Sequence, residues 1–275
     1  MTPLQTTRIT PPGRPVELHL GEVWAYRELL YFFVWRDIKV RYEQTFIGVA
    51  WVILQPLLTM IAFSLLFGRL AGLPSDQLPY PIFYLGGLLP WMYFSQSATR
   101  ATNTLVDHQR VITKVYFPRI LLPIAAVLAG LLDLAIAFAV LLLLLAFYRV
   151  VPTAAAWTLP AFVALSVAAA LAVGLWLSAL HALYRDVRYA VQFLLMFWMF
   201  VSPVAYPSSL VPERWRWLYG LNPMAGAIDG MRWALAGRSP PDPTLLAASA
   251  AAVVVLLLGG VLFFQRVDET VADVV

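Results

Sequence analysis

The feature that most constrains this chain is a succession of windows free of Asp, Glu, Lys and Arg, each long enough to cross a bilayer. They run over residues 44–68, 77–99, 150–184, 189–212 and 243–265, and a sixth, 120–148, is interrupted only by Asp133. A hydrocarbon core of about 30 Å is crossed by roughly 20 apolar residues in helical form. The windows therefore predict an all-α integral membrane protein with six transmembrane helices, at about 46–67, 81–99, 120–147, 158–180, 189–206 and 244–264. Composition agrees: 61% of the 275 residues are hydrophobic and 12% charged, against about 45–50% and 25% in soluble domains.

An even number of crossings puts both termini on one side. The N-terminal 45 residues, the loop from Arg100 to Arg119, the loop 185–188 and the C-terminal tail carry 13 of the 19 basic residues. By the positive-inside rule that set is cytoplasmic. The apolar residues leave no polar stretch for a separate soluble unit. We expect a flexible lead-in over 1–20, rich in Pro and Thr and without a signal-peptide core, one membrane domain over 21–267, and a cytoplasmic tail over 268–275.

Two segments are neither spans nor simple loops. Residues 21–35, GEVWAYRELLYFFVW, are too short and too charged at their start to cross, and suggest an N-terminal interfacial helix with Trp24, Tyr31 and Trp35 at headgroup depth. Residues 202–243 combine early prolines, a Trp-Arg-Trp cluster and a semi-apolar piece holding Asp229 and Arg232. Pro203 and Pro207 break the preceding helix, so short outer-face or re-entrant helices are expected between spans five and six.

Several chemistries are excluded or weak. There is no cysteine, hence no disulfide or thiolate site, and the three histidines, His19, His108 and His181, are far apart. No metal site is expected. A nucleotide-binding P-loop needs Gly-Lys followed by Ser or Thr; the two lysines, Lys39 and Lys114, follow Ile38 and Thr113. HExxH, GxSxG and GxGxxG patterns are absent. His181 and Asp186 have an H-x-x-x-x-D spacing compatible with a membrane acyltransferase base, or with an ordinary loop histidine. No catalytic residue is assigned.

Asp133 is costly inside a span, about 2.5–3.5 kcal/mol, and should face protein or water. It either lines or gates a path, or makes an interhelical hydrogen bond. Trp51, Phe197, Trp198, Tyr206, Trp215 and Trp217 suit either interfacial belts or an aromatic path whose apolar ring faces let a sugar slide. The join WRDIKVRYEQTF places Arg36, Asp37, Lys39, Arg41 and Glu43 directly before the first span. Those cations serve as a positive-inside anchor or as a contact for an anionic lipid head.

The stretches FVWRDIKVRYEQTFIGVAWVILQPLLTM, YLGGLLPWMYF, LVDHQRVITKVYFPRILLP, LHALYRDVRY and LNPMAGAIDGMRWALAG resemble, in order over about residues 30–267, the transmembrane subunit of type 2 ABC exporters. The polysaccharide branch, which exports O-antigen, capsule or teichoic-acid-type polymers, is the best match. The resemblance implies an inner-membrane permease that homodimerises, pairs with two ATP-binding cassette subunits and exports a polymer linked to undecaprenyl diphosphate. ATP and Mg would sit on the partner ATPase, with no cofactor in this chain and no nucleic-acid partner. Residues 105–118, with Asp107, Arg110 and Lys114, match the family's coupling region, and Arg185, Asp186 and Arg188 form a second contact candidate. Residues 208–236 match its outer re-entrant helices. Arg36, Lys39 and Arg41 are the candidates for meeting the lipid diphosphate. The alternatives are a type 2 exporter of drugs or lipids and, from another class, the acyltransferase.

Overall fold

A computed structural model describes residues 20–43, 46–237 and 240–274. Among these the chain is helical, with no strand. Helices α1 (Leu20–Ala25) and α2 (Arg27–Tyr42) precede α3 (Phe46–Phe63), which continues as a π-helical stretch over Ser64–Leu70. Then come α4 (Tyr80–Asp107), α5 (Gln109–Ile112), α6 (Leu121–Phe147), α7 (Leu159–Leu183) and α8 (Val187–Val201). The short α9 (Glu213–Tyr219) and α10 (Ala225–Ala236) lead to α11 (Pro243–Val274). Apart from Leu20, which opens α1, the lead-in expected over 1–20 lies outside the described residues.

Among the described residues, four segments are long and apolar enough to cross a membrane: Ala50–Leu70, Leu121–Phe147, Ala154–Leu183 and Pro243–Asp268. The other two expected spans differ for identifiable reasons. At 28 residues α4 is about 42 Å long, but Ser95, Gln96, Ser97, Thr99, Arg100, Thr102, Asn103 and Thr104 make its second half polar. Helix α8 has 15 residues, about 22 Å. It ends at Val201 rather than 206 because Ser202, held extended (φ −92°, ψ 154°), precedes Pro203, and a residue before proline avoids the helical region.

Helix α4 is the centre of the bundle. It packs along α6 on one side and α7 on another, with α10, α3 and α8 completing its circumference, while α11 covers the far face of α7. Phe83, Tyr84, Leu85 and Phe94 are fully buried there. In lipid, helices associate through close packing rather than hydrophobic expulsion, which favours small residues at crossings. At the α4–α7 crossing a methyl on Gly174 would stand 2.7 Å from Ala101 Cβ. By contrast α3 exposes Trp51, Leu54, Leu58 and Ile61, and α8 exposes Phe193, Phe197 and Phe200.

The connections sort to two ends. At one, Phe33 of α2 packs edge-on against Phe117 at 5.4 Å, and Arg119 pairs with Asp268 at 3.1 Å. This end gathers α2, the 108–120 connection, the 184–186 turn and the end of α11; the expected tail from 268 continues α11 as helix to Val274. At the other end Ser209 donates to Asp76 and Arg216 pairs with Asp242. There α9 and α10 fold back into the bundle, and all of α10 except Trp233 is buried.

Candidate functional site

The expected interfacial helix reaches Tyr42 rather than stopping near 35, so the basic cluster belongs to a helix. Its periodicity sends the three cations to different places. Arg36 donates to Asp37 at 2.8 Å and to His108 Nε2 at 2.6 Å, with its guanidinium 5.0 Å from the Phe33 ring centre. His108 Nδ1 lies 2.9 Å from the Thr104 carbonyl. The two contacts fix the tautomer, since Nε2 must accept from Arg36 and Nδ1–H must donate. Lys39 is exposed and pairs loosely with Glu43 at 3.4 Å, one helical turn on.

Arg41 turns inward to Asp133 of α6, at 2.5 Å on Oδ2. The same oxygen accepts from Arg100 of α4 at 3.0 Å, and Oδ1 accepts from the Tyr42 hydroxyl. The mid-helix acid is thus a knot joining α2, α4 and α6, with 12% of its side chain exposed. This supplies the protein partners that an acid at such depth needs. Burial and the neighbouring carboxylate push the Tyr42 phenol up to about 12, so it remains a donor.

Beside Arg100, between α4 and α8, lies a cleft of about 420 Å³ lined by Trp91, Ser95, Gln96, Thr99, Arg100 and Gln192, with Leu195 and Met196. An apolar cavity of about 380 Å³ sits between α7 and α8 against Phe197 and Trp198. Sequence reasoning missed the cleft. The signal available was helical spacing: Ser95 with Thr99, and Gln96 with Arg100, each recur at i, i+4 and so share a face.

The aromatic candidates do not converge. Trp51 and Phe197 are exposed on α3 and α8. Trp198 points inward, its ring against Phe94 and Trp91 and its Nε1–H donating to Asn222 at 3.1 Å. Tyr206 accepts from the Tyr219 hydroxyl at 3.2 Å at the far end, where Trp215 and Trp217 are exposed. The coupling candidates are all at the α2 end and exposed: Asp107, Arg110 and Lys114 around α5, and Arg185, Asp186 and Arg188 at the α7–α8 turn. His181 is buried in α7 with Nδ1 unpartnered among the described residues, and Asp186 is exposed. A carboxylate-oriented histidine base is not formed.

The cluster on Asp133 therefore offers paired cations beside a polar cleft, and the same end presents two charged loops. Residues 28–236 match the sequence profile of the ABC-2 type transporter family. Among known proteins, the O-antigen export system permease protein RfbA of Myxococcus xanthus is 32% identical over 210 residues, 75% of this chain and 80% of that protein. Its namesake in Klebsiella pneumoniae is 28% identical over 203 residues, 73% of this chain and 77% of that one. The polysialic acid transport protein KpsM of Escherichia coli is 24% identical over 215 residues, covering 73% and 78%. A profile match over most of the chain, together with a relative above 30% identity, places the helical bundle described above: the chain belongs to the ABC-2 type transporter family.

Proposed function

We propose that the chain is the membrane permease subunit of an ATP-driven exporter that carries a lipid-linked surface polysaccharide across the bacterial inner membrane. The observation that carries this reading is that relatives named for two different polysaccharides, O-antigen and polysialic acid, each align with about three quarters of the chain. Two physical features support it. The sequence has no P-loop, so hydrolysis falls to separate ATP-binding subunits. Exposed charges on α5 and on the α7–α8 turn, at one end of the bundle, suit their docking.

In this reading α4 and α8 are the remaining two of six crossings. Packing against α6 and α7 shields much of the polar half of α4, its remaining face opening on the cleft beside α8, and the short α8 is extended by the 202–207 segment. The α2 end is cytoplasmic, as its basic loops require, and α9–α10 form a re-entrant hairpin on the outer face. The exposed apolar faces of α3 and α8 meet a second copy and frame the polymer's path, with Trp51 and Phe197 on it. Trp198 backs that path, and Tyr206, Trp215 and Trp217 stand at its outer mouth. Of the α2 cations, Lys39 is the most exposed to an arriving undecaprenyl diphosphate, while Arg36 and Arg41 hold α2 in place beside it.

The test is reconstitution. The chain and the ATPase encoded with it are placed in vesicles with fluorescent undecaprenyl diphosphate-linked glycan, and ATP-dependent protection of the glycan from external glycosidase is followed. Transport of the glycan with no transport of dyes or phospholipid supports the assignment; the reverse pattern supports a drug or lipid exporter.

A further inference from the structure

We infer that the cleft between α4 and α8 is a binding site for a phosphorylated sugar, its phosphate or diphosphate held by Arg100 and its hydroxyls by Gln96 and Gln192. This rests on the exporter reading and names the part of the substrate that the permease grips. The first support is charge. Arg100 shares a single carboxylate oxygen, Asp133 Oδ2, with Arg41, and that carboxylate also accepts from Tyr42. One acid divided between two guanidiniums does not fully neutralise Arg100. Arg100 reaches Asp133 through Nη1 alone and keeps 28% of its side chain exposed, so although its Nε is buried the guanidinium keeps donor capacity beyond Asp133. A planar guanidinium with spare donors is well matched to phosphate oxygens.

The second support is polarity. From Trp91 to Arg100 the cleft follows α4 for about 14 Å, nine residues at 1.5 Å each. The Ser95 and Thr99 hydroxyls donate back to the Met92 and Ser95 carbonyls, at 3.3 and 2.7 Å. Each hydroxyl oxygen can still accept a hydrogen bond. Neither Gln96 nor Gln192 has a hydrogen-bond partner among the described residues. Gln96 is half-buried and Gln192 exposed, so both amides, each with donors and an acceptor, are open to a polyhydroxylated ligand. The volume, about 420 Å³, lies in the roughly 300–1,000 Å³ range of small-molecule sites.

Arg41 and Arg100 meet on one acid, so an anion arriving along α2 and one seated in the cleft compete for the same field. That arrangement suits a head group handed from the α2 face to α4.

The absence of cysteine permits a clean test. In nanodiscs containing the permease with its ATPase, a Thr99→Cys variant is labelled with an anionic or a cationic methanethiosulfonate. The anionic reagent is expected to react about tenfold faster, and the preference should vanish when Arg100→Gln is added. Undecaprenyl diphosphate N-acetylglucosamine should slow labelling at least fivefold, whereas undecaprenol should not. Water-soluble N-acetylglucosamine 1-phosphate forms the other arm. Protection by it alone assigns the cleft to a free sugar phosphate, and protection by both assigns it to the shared head group. If Thr99→Cys misfolds, Ser95→Cys carries the same measurement. Equal reagent rates with no protection overturn the site. So does labelling that is blocked in the lipid-free dimer and restored in a monomer, because a second copy would then fill the cleft. Wild-type transport in the vesicle assay separates the two readings: transport without protection refutes the cleft alone, and loss of transport refutes the exporter.

Discussion

Replacing Asp133 by Asn keeps the side chain's size and removes its charge, and the consequences follow from the cluster's geometry. The carboxylate takes Arg41 at 2.5 Å and Arg100 at 3.0 Å on one oxygen and Tyr42 on the other, with 12% of its side chain exposed. At charge separations near 4 Å each attraction is about 4 kcal/mol for an effective dielectric of roughly 20. Against the loss of two such attractions stands the cost, several kcal/mol, of desolvating the carboxylate, which the variant no longer bears. The two guanidiniums are then left facing each other across a neutral amide. Removing one partner from a buried pair typically costs about 3–5 kcal/mol, and partial exposure puts this cluster near the lower end, about 3 kcal/mol.

A chain of this size loses about 2–4 °C of melting temperature per kcal/mol, so the Asp133→Asn protein should unfold roughly 6–12 °C below wild type. Intrinsic tryptophan fluorescence in detergent reads this directly. A double-mutant cycle with Arg100→Gln should return a coupling of about 1–3 kcal/mol, as expected for residues in contact. A melting temperature within about a degree of wild type, or strictly additive effects, would mean that α2 is not tied to α4 and α6 through this acid.

Three further outcomes are expected. Asp242 caps α11, accepting from the Thr244 backbone N–H at 2.8 Å, and the Thr244 hydroxyl and then Arg216 hold its carboxyl down at about 2. A folded value below the unfolded value of about 3.9 stabilises above that pH and is lost as pH falls through the folded value. The melting-temperature gap between wild type and Asp242→Asn should accordingly be open at pH 7 and close between about pH 4 and 2. Gly174→Leu overpacks the α4–α7 crossing at Ala101, which should cost about 1–3 kcal/mol and lower the yield of monodisperse protein; Ala101→Gly in the same chain should recover part of it. Reversing Arg110, Lys114, Arg185 and Arg188 to Glu should leave the melting temperature within about 2 °C, as for surface changes, while abolishing co-purification of the ATPase.

Hydropathy made most of the bundle legible because α3, α6, α7 and α11 each carry an apolar run long enough to cross, broken in α6 only by Asp133. It was less informative where burial inside protein replaces contact with lipid. The window 77–99 marked the start of α4, but Arg100, Thr102 and Asn103 hid that the helix runs to Asp107. With the interfacial helix expected to stop near 35, helical periodicity does not extend to Arg36, Lys39 and Arg41, which part company once α2 runs on to Tyr42. Their partners, His108, Glu43 and Asp133, lie 72, 4 and 92 residues away, and only the packing of α2 against α4 and α6 supplies the two distant ones. The cost of Asp133 in a span was visible from the first, yet one residue's cost cannot name its partners.

The polar half of α4 and the acid in α6 have a common physical cause. An arginine placed seven residues before the end of α4 lies about 10 Å from that end, too deep to leave bare and, in the anion path proposed above, too useful to omit. Asp133 makes Arg100 tolerable without cancelling it, because Arg41 draws on the same oxygen. Replacing Arg41 by Gln should therefore tighten the Asp133–Arg100 pair and weaken the cleft's pull on anions. In the Thr99→Cys assay the anionic reagent's advantage should fall from about tenfold to about threefold, with the melting temperature lowered less than in Asp133→Asn. An unchanged reagent preference would show that Arg41 and Arg100 do not compete, and the idea of one acid shared between the α2 face and the cleft would fail with it.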